Sequence, residues 1–197
     1  MDWPVVAGDF FVAASATSLI AAPLAGTTGA RLLNRRVIIS TALLAVVGSL
    51  AFLAWSWRQI PGGPLAALRG HAALIVSVAA LTTLGRAARA LLSDPLAAAM
   101  AALVMSAILV AGIFAMAPLT ANVSSAQSTW LLLANPLVAV TSAAGIDLLH
   151  LDTIYRTSPL AHRGVVLPAW TTACAVYAVA GLAFDVVSRI RPRSHQL

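Results

Sequence analysis

Four ionisable side chains crowd into one short run of an otherwise apolar chain: Asp147, His150, Asp152 and Arg156, in GIDLLHLDTIYR (145–156). Carboxylates and imidazole can hold a metal or pass a proton, so the spacing matters. On a helix Asp147 and His150 are three apart and share a face, while Asp152 lies five from Asp147 and two from His150 and points elsewhere. Three ligands do not converge from that pattern, and zinc wants three or four. Asp152 and Arg156 are four apart, acid first, the order of a surface ion pair. The simpler reading is an outer interfacial polar cluster, where the chain meets water. A metal or proton site at Asp147 and His150 is the sharper alternative.

Other candidates can be weighed the same way. His71 sits near an apolar run and could pair with His150 as the two axial ligands of a b-type haem; a hydrated interfacial anchor is the simpler account. Asp185 stands four residues before Arg189, so a helix-end ion pair accounts for it without an ion path. Asp9 would suit the first turn of a helix. The lone Cys174 lies in an apolar run and excludes an internal disulfide or a multi-cysteine metal site. Enzyme signatures such as G-x-S-x-G, H-E-x-x-H or a pair of acids within one apolar run are absent from the sequence. We assign no catalytic, cofactor-binding or metal-ligating residue, and no enzymatic activity.

The elements that must position these residues belong to a membrane. Of the 197 residues, 60% are hydrophobic and 9% charged, whereas a soluble domain carries about 25% charged residues. Too little polar surface remains to coat a water-soluble globule of this size. We expect an all-α, polytopic helical membrane protein formed by one transmembrane domain over residues 1–197. The net charge of +6 comes from twelve Arg and no Lys. They lie at the ends of apolar runs without interleaved aromatics, which speaks for topology and against nucleic acid. The first apolar run has no positive n-region before it and no persuasive A-x-A cleavage site after a short apolar core, so we expect a retained helix.

Six apolar runs are visible: 10–24, 37–57, 71–84 (longer if 65–70 belong to it), 95–118, 130–149 and 165–187. A span needs about 20 apolar residues, which the second, fourth and sixth supply most clearly. The fifth is broken by Asn135-Pro136, an end-and-restart signal. Arg31, Arg35 and Arg36, then Arg86 and Arg89, then Arg189, Arg191 and Arg193 mark three basic segments, while TANVSSAQS (120–128) carries no charge. All three basic segments fall in the cytoplasm only if the fifth run does not span. We therefore expect five spanning helices plus one re-entrant or interfacial helix, with six spans as the alternative. The N-terminus then lies outside and the C-terminus in the cytoplasm. Ala98, Ala102 and Ser106 recur every four residues, a spacing that lets helices approach closely within one chain. Trp55, Trp57, Trp130 and Trp170 flank the runs as interface belts do.

The order of these features resembles a known family. TTLGRAARALLSDPLAAAMAALVMSAILVAG (82–112) looks like the segment of ABC-2 type transporter permeases in which a helix ends in a short basic cytoplasmic turn and an Ala/Leu-rich helix follows. WLLLANPLVAVTSAAG (130–145) resembles their extracellular re-entrant segment. YRTSPLAHRGVVLPAWTTACAVYAVAGLAF, closing on RIRPR, is similar to their final helix and basic tail. The resemblance spans residues 75–193; the N-terminal third is shorter than the family's and lacks its acidic coupling stretch. It implies the membrane subunit of an ABC exporter in a bacterial inner (plasma) membrane. A separate ATPase subunit would supply ATP, and a second permease copy or paralogue would complete the path. The chain has no G-x-x-x-x-G-K-[ST] loop of its own. The candidate coupling turns are Arg31, Arg35 and Arg36, with Arg86 and Arg89; their simpler role is topology anchoring. Besides lipid and these subunits no partner is implied. A structural or haem-carrying subunit of a larger membrane complex, through His71 and His150, is the other expectation.

Overall fold

The computed structural model describes residues 3–27, 62–119, 125–151 and 167–190, and these are helical with short connections. The helices are α1 (Trp3–Thr27), α2 (Gly63–Leu91), α3 (Pro95–Leu119), α4 (Ser125–Leu133), α5 (Pro136–Ala143) and α6 (Trp170–Ile190), with a 3-10 turn at Leu148–His150. Among the described residues, four helical stretches are long and apolar enough to cross a membrane: Gly8–Thr27, Gly63–Leu91, Pro95–Gly112 and Trp170–Ile190. The chain is an all-helical integral membrane protein. The second apolar run, 37–57, lies outside the described residues.

Two boundaries differ from the sequence expectation. The first run extends to Trp3, so Asp9 is an exposed residue inside α1 and not in its first turn. The third run continues at both ends, to Gly63 and Leu91, and Arg69 lies within it on an exposed face. Its 29 residues reach about 43 Å at about 1.5 Å each, more than the roughly 30 Å hydrocarbon core. Hence Arg69, two turns into α2, reaches the interface and stays hydrated.

α2 is the centre of the bundle, packed against α1, α6, α5 and α3. α1 and α2 run parallel. Phe11 lies on His71 near the start of both, with ring centroids 5.6 Å apart, and Ala22, Pro23 and Gly26 meet Thr82, Gly85 and Arg86 near their ends. α6 is parallel to α2 as well, with Gly181 against Ala80 and Asp185 beside Arg86. α3 turns back after the short Leu92–Asp94 link, where Asp94 caps it by accepting from the Leu96 and Ala97 amides. Thr27, Leu91, Pro95 and Ile190 thus share one end of the bundle, the basic end. Trp3, Gly63, Leu119 and Trp170 share the other.

Residue size decides which face is buried. On α3 Ala98, Ala102, Ser106 and Val110 face inward, while Leu96, Met100, Val104 and Ile108 face out. On α6 Ala173, Tyr177 and Gly181 are buried, while Val179, Leu182, Val186 and Ile190 are exposed. Lipid is as apolar as the core, so small residues gather where backbones approach and large ones meet acyl chains. The expected Ala98, Ala102, Ser106 stripe is such a contact: Ser106 donates to the Ile20 carbonyl at 2.9 Å.

The tightest contact lies at the basic end. A Cβ on Gly26 would stand 2.0 Å from the Thr82 carbonyl oxygen, and one on Gly85 2.0 Å from that of Pro23. Only glycine permits this approach of α1 and α2. Thr82 adds a hydroxyl bond to the Ala22 carbonyl at 3.3 Å.

Candidate functional site

The polar groups fall into two clusters, one in the half of the bundle away from the basic end and one at the basic end. The first is built on the break between α4 and α5. Pro136 cannot continue α4, but it suits the first position of a new helix, where no amide donor is needed. Asn135 is the N-cap: its Oδ1 accepts from the Leu137 and Val138 amides at 2.9 and 3.3 Å. Its Nδ2 donates to the Val110 carbonyl of α3 at 3.0 Å, so one buried side chain satisfies the new helix and ties it to a neighbour. Tyr177 of α6 donates its hydroxyl to the Ala134 carbonyl, which the end of α4 leaves over.

α5 is buried along almost its whole length, which its apolar sequence allows. It ends at Gly145, whose φ of 70° is left-handed, and the Ile146 amide donates to the Thr141 carbonyl at 2.9 Å. That closure is a helix C-cap of glycine type. Ala144 then lies against Gly70 of α2 and close to Phe11, and Ser142 donates to the Pro168 carbonyl ahead of α6 at 3.4 Å.

This closure corrects the expected geometry of the outer cluster. Asp147 does not lie inside an α-helix but precedes the 3-10 turn Leu148–His150. Asp147 is extended and exposed, and its carboxylate accepts from the Leu149 amide at 3.2 Å as the cap of the 3-10 turn that His150 completes. The glycine stop at 145 ends α5 before Asp147, and the Asp147 cap opens a short 3-10 turn there instead of an α-helix. Asp152 and Arg156 lie outside the described residues. Among the described residues no three His, Cys, Asp or Glu side chains gather as metal ligands would.

His71 is buried, not a hydrated anchor. Its Nδ1 lies 2.7 Å from the Ala67 carbonyl oxygen. A carbonyl only accepts, so Nδ1 carries the proton of this bond.

The second cluster occupies the basic end. Asp185 accepts from Arg189 on its own helix at 2.6 Å, as the four-residue spacing predicts. It also lies 3.8 Å from Arg86 of α2, a partner the sequence did not single out. Arg89 folds back, and one guanidinium nitrogen donates to the Leu92 and Ser93 carbonyls at 3.1 and 2.8 Å. Arg86 and Arg189 remain largely exposed. Arg31, Arg35 and Arg36 lie outside the described residues. The chemistry available here is electrostatic: exposed guanidinium groups held by a single carboxylate, able to meet acidic or phosphate groups.

The chain matches no protein-family model, no curated protein and no solved structure.

Proposed function

We propose that the chain is the membrane-spanning permease subunit of an ABC-2-like transporter, energised by a separate ATP-binding subunit and completed by a second copy or a paralogue. The observation that carries this reading is the path of α4 and α5. α3 ends and α6 begins at the same end of the bundle, and between them a broken helix descends to Asn135 and comes back to Ala144. A re-entrant segment between the last two spans, opposite the basic turns, is what the family resemblance implies.

The finer topology follows from the same directions. α1 and α2 are parallel, so Thr27 and Gly62 lie at opposite ends, and in the sequence between them the apolar run 37–57 is long enough to serve as a return span. The bundle then has five spans and one re-entrant element. Arg86, Arg89 and Arg189 fall at one end, which the positive-inside rule assigns to the cytoplasm of a bacterial inner membrane, with the N-terminus outside. In this arrangement the short α2–α3 turn, with Arg86 and Arg89, faces the ATP-binding subunit, alongside Arg31, Arg35 and Arg36.

The direct test is gentle-detergent capture of the tagged chain from its native membrane, followed by mass spectrometry. A stoichiometric ATP-binding subunit is the expected companion. Respiratory or other complex subunits without an ATPase would sink the permease reading and bring His71 and His150 forward as haem ligands. Topology is tested separately with single cysteines at Ser125 and Ala169 in a Cys174→Ser background. Both should label from outside; labelling from opposite sides means that 125–167 crosses the membrane.

A further inference from the structure

Most helical hydroxyls among the described residues bond a backbone carbonyl; two buried ones do not. Thr17 and Ser18 donate back to the Ala13 and Ala14 carbonyls, Thr82 to Val78 and Thr141 to Leu137, while Ser106 crosses to Ile20. Ser15 and Ser77 are fully buried, and their hydroxyls make no hydrogen bond among the described residues. A helical serine can bond the carbonyl one turn earlier, and leaving a hydroxyl unpaired in a dry apolar interior is costly. Two serines that both forgo that bond point to a partner other than their own helix.

Their positions converge. Ser77 lies two turns beyond Gly70 on the same stripe of α2, and Gly70 meets Ala144 at the end of α5. Ser15 lies one turn beyond Phe11, whose ring approaches the same glycine. α5 runs back from there to Asn135. The bond between Ser106 and Ile20 brings Val110, the partner of Asn135, level with Ala16, and the bond between Thr82 and Ala22 brings Ser77 level with Thr17. Ser15, Ser77 and the start of α5 therefore stand at one depth, on three elements that pack on one another.

We propose that Ser15, Ser77 and the Asn135–Pro136 break enclose a hydrated chamber midway through the bundle, and that it holds an uncharged hydrogen-bonding group, a hydroxyl or an amide, of the transported molecule. Buried polar groups that find no protein partner are characteristically met by water. The ligand is uncharged because no described residue supplies a countercharge at this depth. Asp9 and Arg69 are exposed, Asp147 lies beyond the end of α5, and Arg86, Asp185 and Arg189 sit at the basic end. The substrate role rests on the permease reading; the hydration does not.

The test is thiol reactivity in the full chain reconstituted in lipid nanodiscs. Ser15→Cys and Ser77→Cys, each in a Cys174→Ser background, are treated with methyl methanethiosulfonate and with its trimethylammonium analogue. Both cysteines should react with the uncharged reagent at least tenfold faster than Leu19→Cys, one turn deeper on the buried face of α1, and faster than with the cationic one. Reaction no faster than at Leu19→Cys until the protein is unfolded overturns the chamber, and a preference for the cation overturns the uncharged ligand. A Ser15→Ala/Ser77→Ala double variant gives a second readout. Removing two unpaired hydroxyls from a dry interface raises the thermal midpoint, so an increase refutes hydration, whereas an unchanged or lowered midpoint is expected. Fast labelling without capture of an ATP-binding subunit retires the permease reading alone.

Discussion

The helix pair α1 and α2 is closed in two different ways along its length. At the basic end the two backbones touch at Gly26 and Gly85, with no room for a single methyl group. In the other half α5 packs against the same pair, with Ala144 against Gly70 beside the Phe11 ring and Asn135 reaching α3. The first closure sets backbone directly on backbone; the second is an inserted element held by side-chain hydrogen bonds to α3, α6 and the segment ahead of α6. A shape contact has one geometry; a hydrogen-bonded insert can in principle move and exchange partners. On the proposed topology the rigid closure lies at the cytoplasmic side and the inserted one at the opposite side.

The sharpest way to break this contrast is at the glycines. Gly85→Ala places a methyl group on the Pro23 carbonyl and must part the helices, so we expect a loss of about 3 kcal/mol or more, at the upper end of overpacking effects. Reversible unfolding in mixed micelles reads it; a change below about 1 kcal/mol would mean that the pair tolerates separation. Asn135→Ala comes next. It removes the α5 cap and the bond to Val110, and a loss of about 2–3 kcal/mol is expected from the two together. Asn135→Asp keeps the cap oxygen but forfeits the amide donor and should fall between Asn135→Ala and the parent. Tyr177→Phe leaves the Ala134 carbonyl without its hydroxyl partner at a cost of about 1 kcal/mol. The same unfolding measurement ranks these variants, and Tyr177→Phe matching Asn135→Ala would shift the weight of the closure to α6. Asp185→Asn should change stability by less than about 0.5 kcal/mol, because its arginine partners are mostly exposed. A larger loss at low salt that vanishes at high salt would show the basic end to be held by charge as well as shape.

The sequence made some of this plain and hid the rest for physical reasons. Asn135-Pro136 announced a restart because proline lacks a donor and asparagine caps, and both residues do so here. The spacing of Ala98, Ala102 and Ser106 marked a buried face, and the Asp185, Arg189 spacing marked an ion pair. The Gly26 and Gly85 contact was illegible. A glycine beside Thr27-Thr28 or Arg86 reads locally as a helix end, and what makes it a contact is a residue sixty positions away. The same holds for Arg86 beside Asp185 and for Tyr177 on Ala134: the bonds join residues that nothing in the local pattern connects. Burial of His71 was missed because a single imidazole satisfied by its own helix leaves no periodic mark. At Asp147 a 3-10 turn stands in place of an α-helix because a glycine stop and a side-chain cap outrank a short apolar run. Hydropathy alone could not orient α3 or α6, since both of their faces are apolar.

The shared direction of α1, α2 and α6 has an electrical consequence. Each peptide unit is a small dipole, and an α-helix sums them into roughly half a negative charge at its C-terminus. Among the described helices three present that end together at one membrane face and α3 opposes them; with the proposed return span at 37–57 also opposing, the backbone leaves roughly half a net negative charge there. Arg89, bonded to the Leu92 and Ser93 carbonyls, answers that charge directly, and Arg86 and Arg189 stand within the same field. The arginines at this face therefore do more than record how the chain was inserted: they offset a potential that the fold creates, and any voltage across the membrane acts on that balance.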